Sequence, residues 1–175
     1  MANSRQPPAT SGRWYEVETT FRAPIEFAFR WCTDYSPADP RIERDTYTRR
    51  ILSRGRRTVV YQDLGDHAGG WFLNLQTVTL HPPSYWHAES VGNYRTWSID
   101  YRLRALPDGT TRFRFRGFRT PTPLDKDPPR ADAVQENLRE LWQRFGRALE
   151  ADYRRSRRVR ARSGRGPSFA GARRR

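Results

Sequence analysis

The chain has 175 residues, 13% of them aromatic, and a net charge of +14 from 33 basic and 19 acidic groups. That length fits one domain with a sizeable core, and the aromatic share excludes a wholly disordered chain. A single cysteine, Cys32, excludes an intrachain disulfide, and the absence of a signal-peptide pattern or an apolar run of spanning length makes a cytoplasmic protein the expectation.

In chain order, residues 1–13 are polar and read as a disordered lead. From Trp14 the pattern changes: Tyr15, Val17, Thr19 and Phe21 alternate with Glu16, Glu18 and Thr20, the period-two mark of a half-buried strand. Pro24 stands where a helix tolerates proline, and Ile25, Ala28, Phe29 and Cys32 follow at helical spacing, so a short helix is predicted to end near Asp34. Ser36-Pro37 and Asp39-Pro40 mark a turn or a second short helix.

Six strands are then predicted over residues 44–53, 57–64, 71–80, 85–91, 95–106 and 111–118, separated by glycine and proline turns. The clearest is 95–106, with Trp97, Ile99, Tyr101 and Leu103 on one face and Ser98, Asp100, Arg102 and Arg104 on the other. In the last strand Phe113 and Phe115 oppose Arg112, Arg114 and Arg116, and a bulge is expected at Gly117 because Phe118 breaks the alternation. Direct hairpin succession implies an antiparallel sheet, with arginines outside and aromatics inside.

Such a sheet needs a cover. Residues 131–153 supply it as a helix of about six turns, with Val134, Leu138, Leu141, Trp142, Phe145, Leu149 and Tyr153 in one stripe. Residues 154–175 hold ten Arg and no acidic residue, so residues 1–153 carry 23 basic groups (33 less 10) against 19 acidic ones. The tail has few apolar groups and is predicted to be disordered. Lys126 is the only lysine, and a bias this complete reads as coding preference, which lowers the weight of any single Arg as an anion ligand.

The order of strand, short helices, six strands and long helix, with Ala23-Pro24-Ile25-Glu26 at the first junction, resembles the START-like superfamily of polyketide cyclases, lipid-transfer domains and plant pathogenesis-related allergens. The resemblance covers residues 14–153. It implies an α+β helix-grip fold, in which a curved antiparallel sheet of about seven strands wraps a long C-terminal helix around an apolar cavity.

Fold does not fix function, so the site rests on residues. Trp71, Trp97, Tyr101, Phe113, Phe115, Trp142 and Phe145, with Tyr61 and Leu138, are expected to meet between sheet and helix, as filled core or as the wall of a cavity for a small hydrophobic molecule. His67 falls in a Gly/Asp turn and His81 precedes two prolines, so both are expected to face solvent, whereas His87 and Glu89 share one strand face. That face is either an outer polar surface or the cavity, where His87 held by Glu89, with Tyr101, would be the acid–base candidates of a cyclase or dehydratase. Asp63 would be costly to bury alone and is expected at the cavity mouth or paired with an Arg such as Arg49. The chain shows no nucleophile elbow, phosphate loop, dinucleotide fingerprint or metal spacing, so no cofactor is expected. The arginine tail reads as a solubilising extension or as a non-specific nucleic-acid attachment. Oligomeric state is not legible.

Overall fold

The computed structural model of the chain describes residues 12–67, 70–122, 124 and 129–163. In β1 (Arg13–Phe21) the alternation buries Tyr15, Val17 and Phe21 and leaves Trp14, Glu16 and Glu18 outside. Pro24 caps α1 (Ile25–Cys32), which buries Ala28 and Phe29. A second helix, α2 (Asp39–Glu43), has Pro40 in its first turn and ends where Arg44 adopts a left-handed backbone, φ 61°. Six strands follow: β2 (Thr48–Arg54), β3 (Thr58–His67), β4 (Gly70–His81), β5 (Tyr85–Gly92), β6 (Arg95–Ala105) and β7 (Thr111–Pro121). The last element among the described residues is α3 (Ala131–Ser163).

All seven strands form one antiparallel sheet in the order β1-β7-β6-β5-β4-β3-β2. Successive hairpins lead from β2 to β7, and β7 closes against β1. This is the α+β architecture expected from the sequence. α3 runs alongside β1 and is tied to it at two levels. The Gln135 side-chain amide donates to the Glu16 carbonyl at 2.6 Å, and the Arg22 N–H donates to Glu150 Oε1 at 3.0 Å.

The apolar stripe of α3 lies against the inner face of the sheet. Trp142 packs on Phe113 with ring centres 4.2 Å apart, and Phe113 in turn meets Phe21 at 5.1 Å. Trp86 stacks on Tyr101 at 4.7 Å. Gly146 is buried where α3 meets β1, and a Cβ there would sit 3.4 Å from the Phe21 ring.

Several boundaries differ from the sequence reading, each for a local reason. The strand expected from residue 44 starts at Thr48, because Arg44 is used to end α2. β3 continues through Gly65, which marks a close approach: a Cβ there would lie 2.7 Å from the Tyr47 Cα. The expected bulge at Gly117 is absent. β7 pairs in unbroken register with both neighbours, and Phe118 points outward onto Trp14, 5.1 Å away. Gly117 itself faces inward, where a Cβ would lie 2.8 Å from Phe115 and 3.0 Å from Trp97. The irregularity sits in β2, between Ile51 and Ser53.

Arg13, placed in the lead by the sequence reading, opens β1. The tail expected to be disordered from residue 154 continues α3 to Ser163. Nothing in residues 154–163 breaks a helix, arginine is a good helix former, and positive charge near a helix C-terminus is favourable. Residues 1–11 and 164–175 lie outside the described residues.

Trp142→Ala should lower the unfolding free energy by about 3–5 kcal/mol, read as an earlier denaturation midpoint; an unmoved midpoint would reject this packing. Gly117→Ala should cost about 1–3 kcal/mol through overpacking against Trp97 and Phe115. The same substitution at Gly55, where the nearest atom to an added Cβ is 3.7 Å away, is the control.

Candidate functional site

The aromatic inner face and the helix stripe do not close on each other completely. A cavity of about 520 Å³ lies between the sheet and the first half of α3, with α1 and α2 at one end. This is the size range of small-molecule sites. Seven of the residues expected to line it do so: Tyr61, Trp97, Tyr101, Phe115, Leu138, Trp142 and Phe145. Two do not. Phe113 is fully buried beneath the wall, between Phe21, Trp86 and Trp142. Trp71 is 59% exposed, because the parity of β4 turns Phe72, Asn74 and Gln76 inward and Trp71 outward.

The end of the cavity near α2 is polar and organised by Arg49. Its side chain is 5% exposed. Nε and Nη2 donate to the two Asp63 oxygens at 2.8 and 2.9 Å, a bidentate pair, and Nη1 donates to Asp39. Nη2 also donates to Tyr47 Oη at 2.9 Å, and that hydroxyl donates to Glu43 Oε1 at 2.6 Å. The guanidinium lies over the Tyr61 ring at 4.5 Å. The Arg49–Asp63 pair is one the sequence suggested. Asp39, Glu43 and Tyr47 were missed because they come from α2 and the segment after it, where single charges resemble surface charge.

Three carboxylates share one guanidinium, and burial raises all three against the pull of Arg49. Burial pushes Glu43 up to about 7, against the hydrogen bond from Tyr47 and the field of Arg49. Burial likewise pushes Asp39 up to about 6 although Arg49 opposes it. Burial also raises the Tyr35, Tyr61 and Tyr101 phenols and the Cys32 thiol, so these stay neutral near pH 7.

Two buried polar atoms on cavity-lining residues have no hydrogen-bond partner among the described residues: Tyr35 Oη and Trp142 Nε1. Tyr35 also has a left-handed backbone, φ 50°, which non-glycine residues seldom adopt. Its ring lies on Tyr61 with centres 4.7 Å apart.

His87 and Glu89 are elsewhere. Trp86, Ala88 and Ser90 are the buried, inward residues of β5, so His87 and Glu89 project from the outer face. His87 sits between two carboxylates, with Nε2 2.6 Å from Glu89 and Nδ1 3.0 Å from Asp100, and Tyr85 Oη donates to Asp100 at 2.6 Å. Partial burial disfavours the imidazolium, but the hydrogen bonds to Asp100 and Glu89 prevail and raise His87 above the ordinary histidine value. The cavity placement of this pair is therefore corrected: Tyr101 faces inward, and the thickness of the sheet separates it from His87. Among the described residues no group of three or more His, Cys, Asp or Glu is arranged to hold a metal ion, and no helix is long and apolar enough to cross a membrane.

Solved structures share this arrangement of sheet and helix. A START superfamily protein from Mycobacterium smegmatis superimposes with a TM-score of 0.60 at 14% identity, covering 81% of this chain and 97% of that one. The chain has the START-like helix-grip fold. The Zhui aromatase/cyclase from Streptomyces sp. R1128 matches with a TM-score of 0.59 at 18% identity, over 89% of this chain and 99% of that one. A Thermus thermophilus protein matches with a TM-score of 0.63 at 14% identity, over 80% and 99%. No family model and no curated protein sequence matches the chain. Likeness at these identities extends the START-like description to the fold and no further.

The buried carboxylates set a pH dependence. Glu43 is held at about 7 in the fold against an ordinary 4.5, so between these values the folded state binds more protons than the unfolded one. Stability from this group is complete below the lower value and is lost as pH rises through the upper one. Glu43→Gln should therefore gain thermal stability relative to the parent as pH goes from about 5 to about 8. A parallel pair of melting-temperature curves across that range would contradict the assignment.

Proposed function

We propose that the chain binds a small hydrophobic or aromatic molecule, lipid- or polyketide-like, in the cavity between the sheet and α3, and does so in the cytoplasm. The observation that carries this reading is the pair of unmatched polar atoms, Tyr35 Oη and Trp142 Nε1, on residues of an otherwise aromatic wall. Each unmatched buried donor costs about 1–3 kcal/mol, and Tyr35 adds its left-handed backbone. A ligand with a hydrogen-bond acceptor would relieve the donors it reaches, while its apolar body replaces water against Trp97, Phe115 and Phe145. The START-like folds of a START superfamily protein and of an aromatase/cyclase support the same choice at the level of architecture.

A second reading is an enzyme of the cyclase or dehydratase type, favoured by Glu43. A buried carboxyl held at about 7 and bonded to Tyr47 is poised to exchange a proton near neutral pH. Glu43 then takes the role that His87 and Glu89, on the outer face, cannot fill, with Tyr101 bordering the reacting molecule.

Native mass spectrometry of the purified chain tests the binding reading. A co-purifying small molecule is expected, and Tyr35→Phe should weaken its rebinding roughly 3–10-fold, the worth of one hydrogen bond. A chain that is empty and does not take up an apolar fluorescent probe would overturn it. Turnover of the co-purified molecule that is lost in Glu43→Gln while binding persists would select the enzyme reading.

A further inference from the structure

α3 is longer than the fold needs. Its last packed aromatic is Tyr153, which meets Phe27 at 5.0 Å. Beyond it the helix runs ten more residues, to Ser163, a rod of about 15 Å. Between residues 154 and 159 only Ser156 is even partly buried. The segment 154–163 contains six arginines and no acidic residue.

Compensation is slight. Arg155 pairs with Asp152 at 2.6 Å, and Arg154 reaches Glu150 only at 3.8 Å. Arg157 and Arg158 have no carboxylate partner among the described residues. At about 100° per residue, Arg154, Arg155, Arg157 and Arg158 spread over an arc of roughly 160°, with Ser156 and Val159 behind them. On the body, Arg30 of α1 borders the same surface groove as Arg157, and Glu26 lines that groove too.

We infer that the projecting end of α3 is a docking element for duplex DNA, held by its phosphates without regard to base sequence. A helix about 10–12 Å across matches the width of the major groove, about 12 Å. A broad arc of guanidinium groups can reach phosphates on both walls of a groove, which a narrow basic stripe cannot. Over the length of residues 154–159, about 9 Å, the duplex presents roughly five phosphate charges at one per 1.7 Å. Four described arginines come close to matching them. A membrane surface is the poorer partner, because a helix lying in lipid needs a large apolar face. Val159 is the only large apolar side chain between residues 154 and 163.

Fluorescence anisotropy of the full chain with a labelled random-sequence duplex tests this. Binding should weaken roughly 100-fold as salt rises from about 50 to about 200 mM, a log–log slope near −4 for about four neutralised phosphates. The quadruple variant Arg154→Gln, Arg155→Gln, Arg157→Gln, Arg158→Gln should lose most of that slope while melting like the parent, since glutamine is a comparable helix former. The proposal is overturned if the quadruple variant binds as the parent does. It is also overturned if binding disappears instead in Arg173→Gln, Arg174→Gln, Arg175→Gln, or if the chain ignores the duplex and binds only single-stranded RNA or phosphatidylserine vesicles. Filling the cavity with the apolar fluorescent probe should leave the duplex isotherm unmoved, so this result and the cavity reading stand or fall separately.

Discussion

Trp142 sets the distance between the helix and the sheet. Its indole stands on Phe113 at 4.2 Å, with Tyr101 and Phe115 beside it. On one side, towards Gly146 and Leu149, α3 lies directly against β1 and the interior is closed. On the other, towards Leu138 and Val134, the two layers are held apart by a residue too large to let them collapse, and the cavity occupies that gap. One side chain thus anchors the core and makes it incomplete.

The incompleteness is chemically graded. The floor near Trp97 and Phe115 is aromatic, and the end near α2 is a charged network around Arg49. A buried ion pair is weak support for stability, because desolvation offsets much of its attraction, yet removing one partner leaves an uncompensated charge at a cost of about 3–5 kcal/mol. Arg49 also joins parts of the chain that do not otherwise touch closely: α2 through Asp39, and β3 through Asp63. Arg144 adds a link from α3 to the carbonyls of Ile42 and Glu43. Charge and hydrogen bonding therefore help to hold α2 over the cavity end.

Where one face of a strand was uniformly apolar, the sequence could be read directly. The alternation in β6 and β7 assigned Trp97, Tyr101 and Phe115 to the inner face, and the 3.6-residue stripe assigned Leu138, Trp142 and Phe145 to the same space. β4 defeated this reading because Trp71, Phe72, Leu73 and Leu75 are apolar on both faces, while its inward residues include Asn74 and Gln76. Period two cannot be phased from such a run. β5 left its phase open for the opposite reason, with polar residues on both sides of Ala88, and only pairing with β4 and β6 fixed His87 outside. The Arg49 network draws on positions 39, 43, 47, 49 and 63, a set that only the folded chain brings together. The helical reach of residues 154–163 was hidden by its charge, which looks the same in a coil as in a helix capped by favourable electrostatics.

The strand order leaves two edges, β1 and β2. β1 lies beside α3, tethered by Gln135 and Glu150. β2 is only seven residues long, is broken in register between Ile51 and Ser53, and exposes Arg50 and Arg54. An unbroken edge would offer a row of free amides and carbonyls on which a second chain could add its own strand. The kink and the charges spoil that template, and Arg54 is further occupied with the carbonyls of Thr33 and Asp34. A fold that must keep an aromatic interior partly empty is at risk of aggregation whenever it opens, and its exposed margin is built so that growth into a fibre has no straight strand to start from.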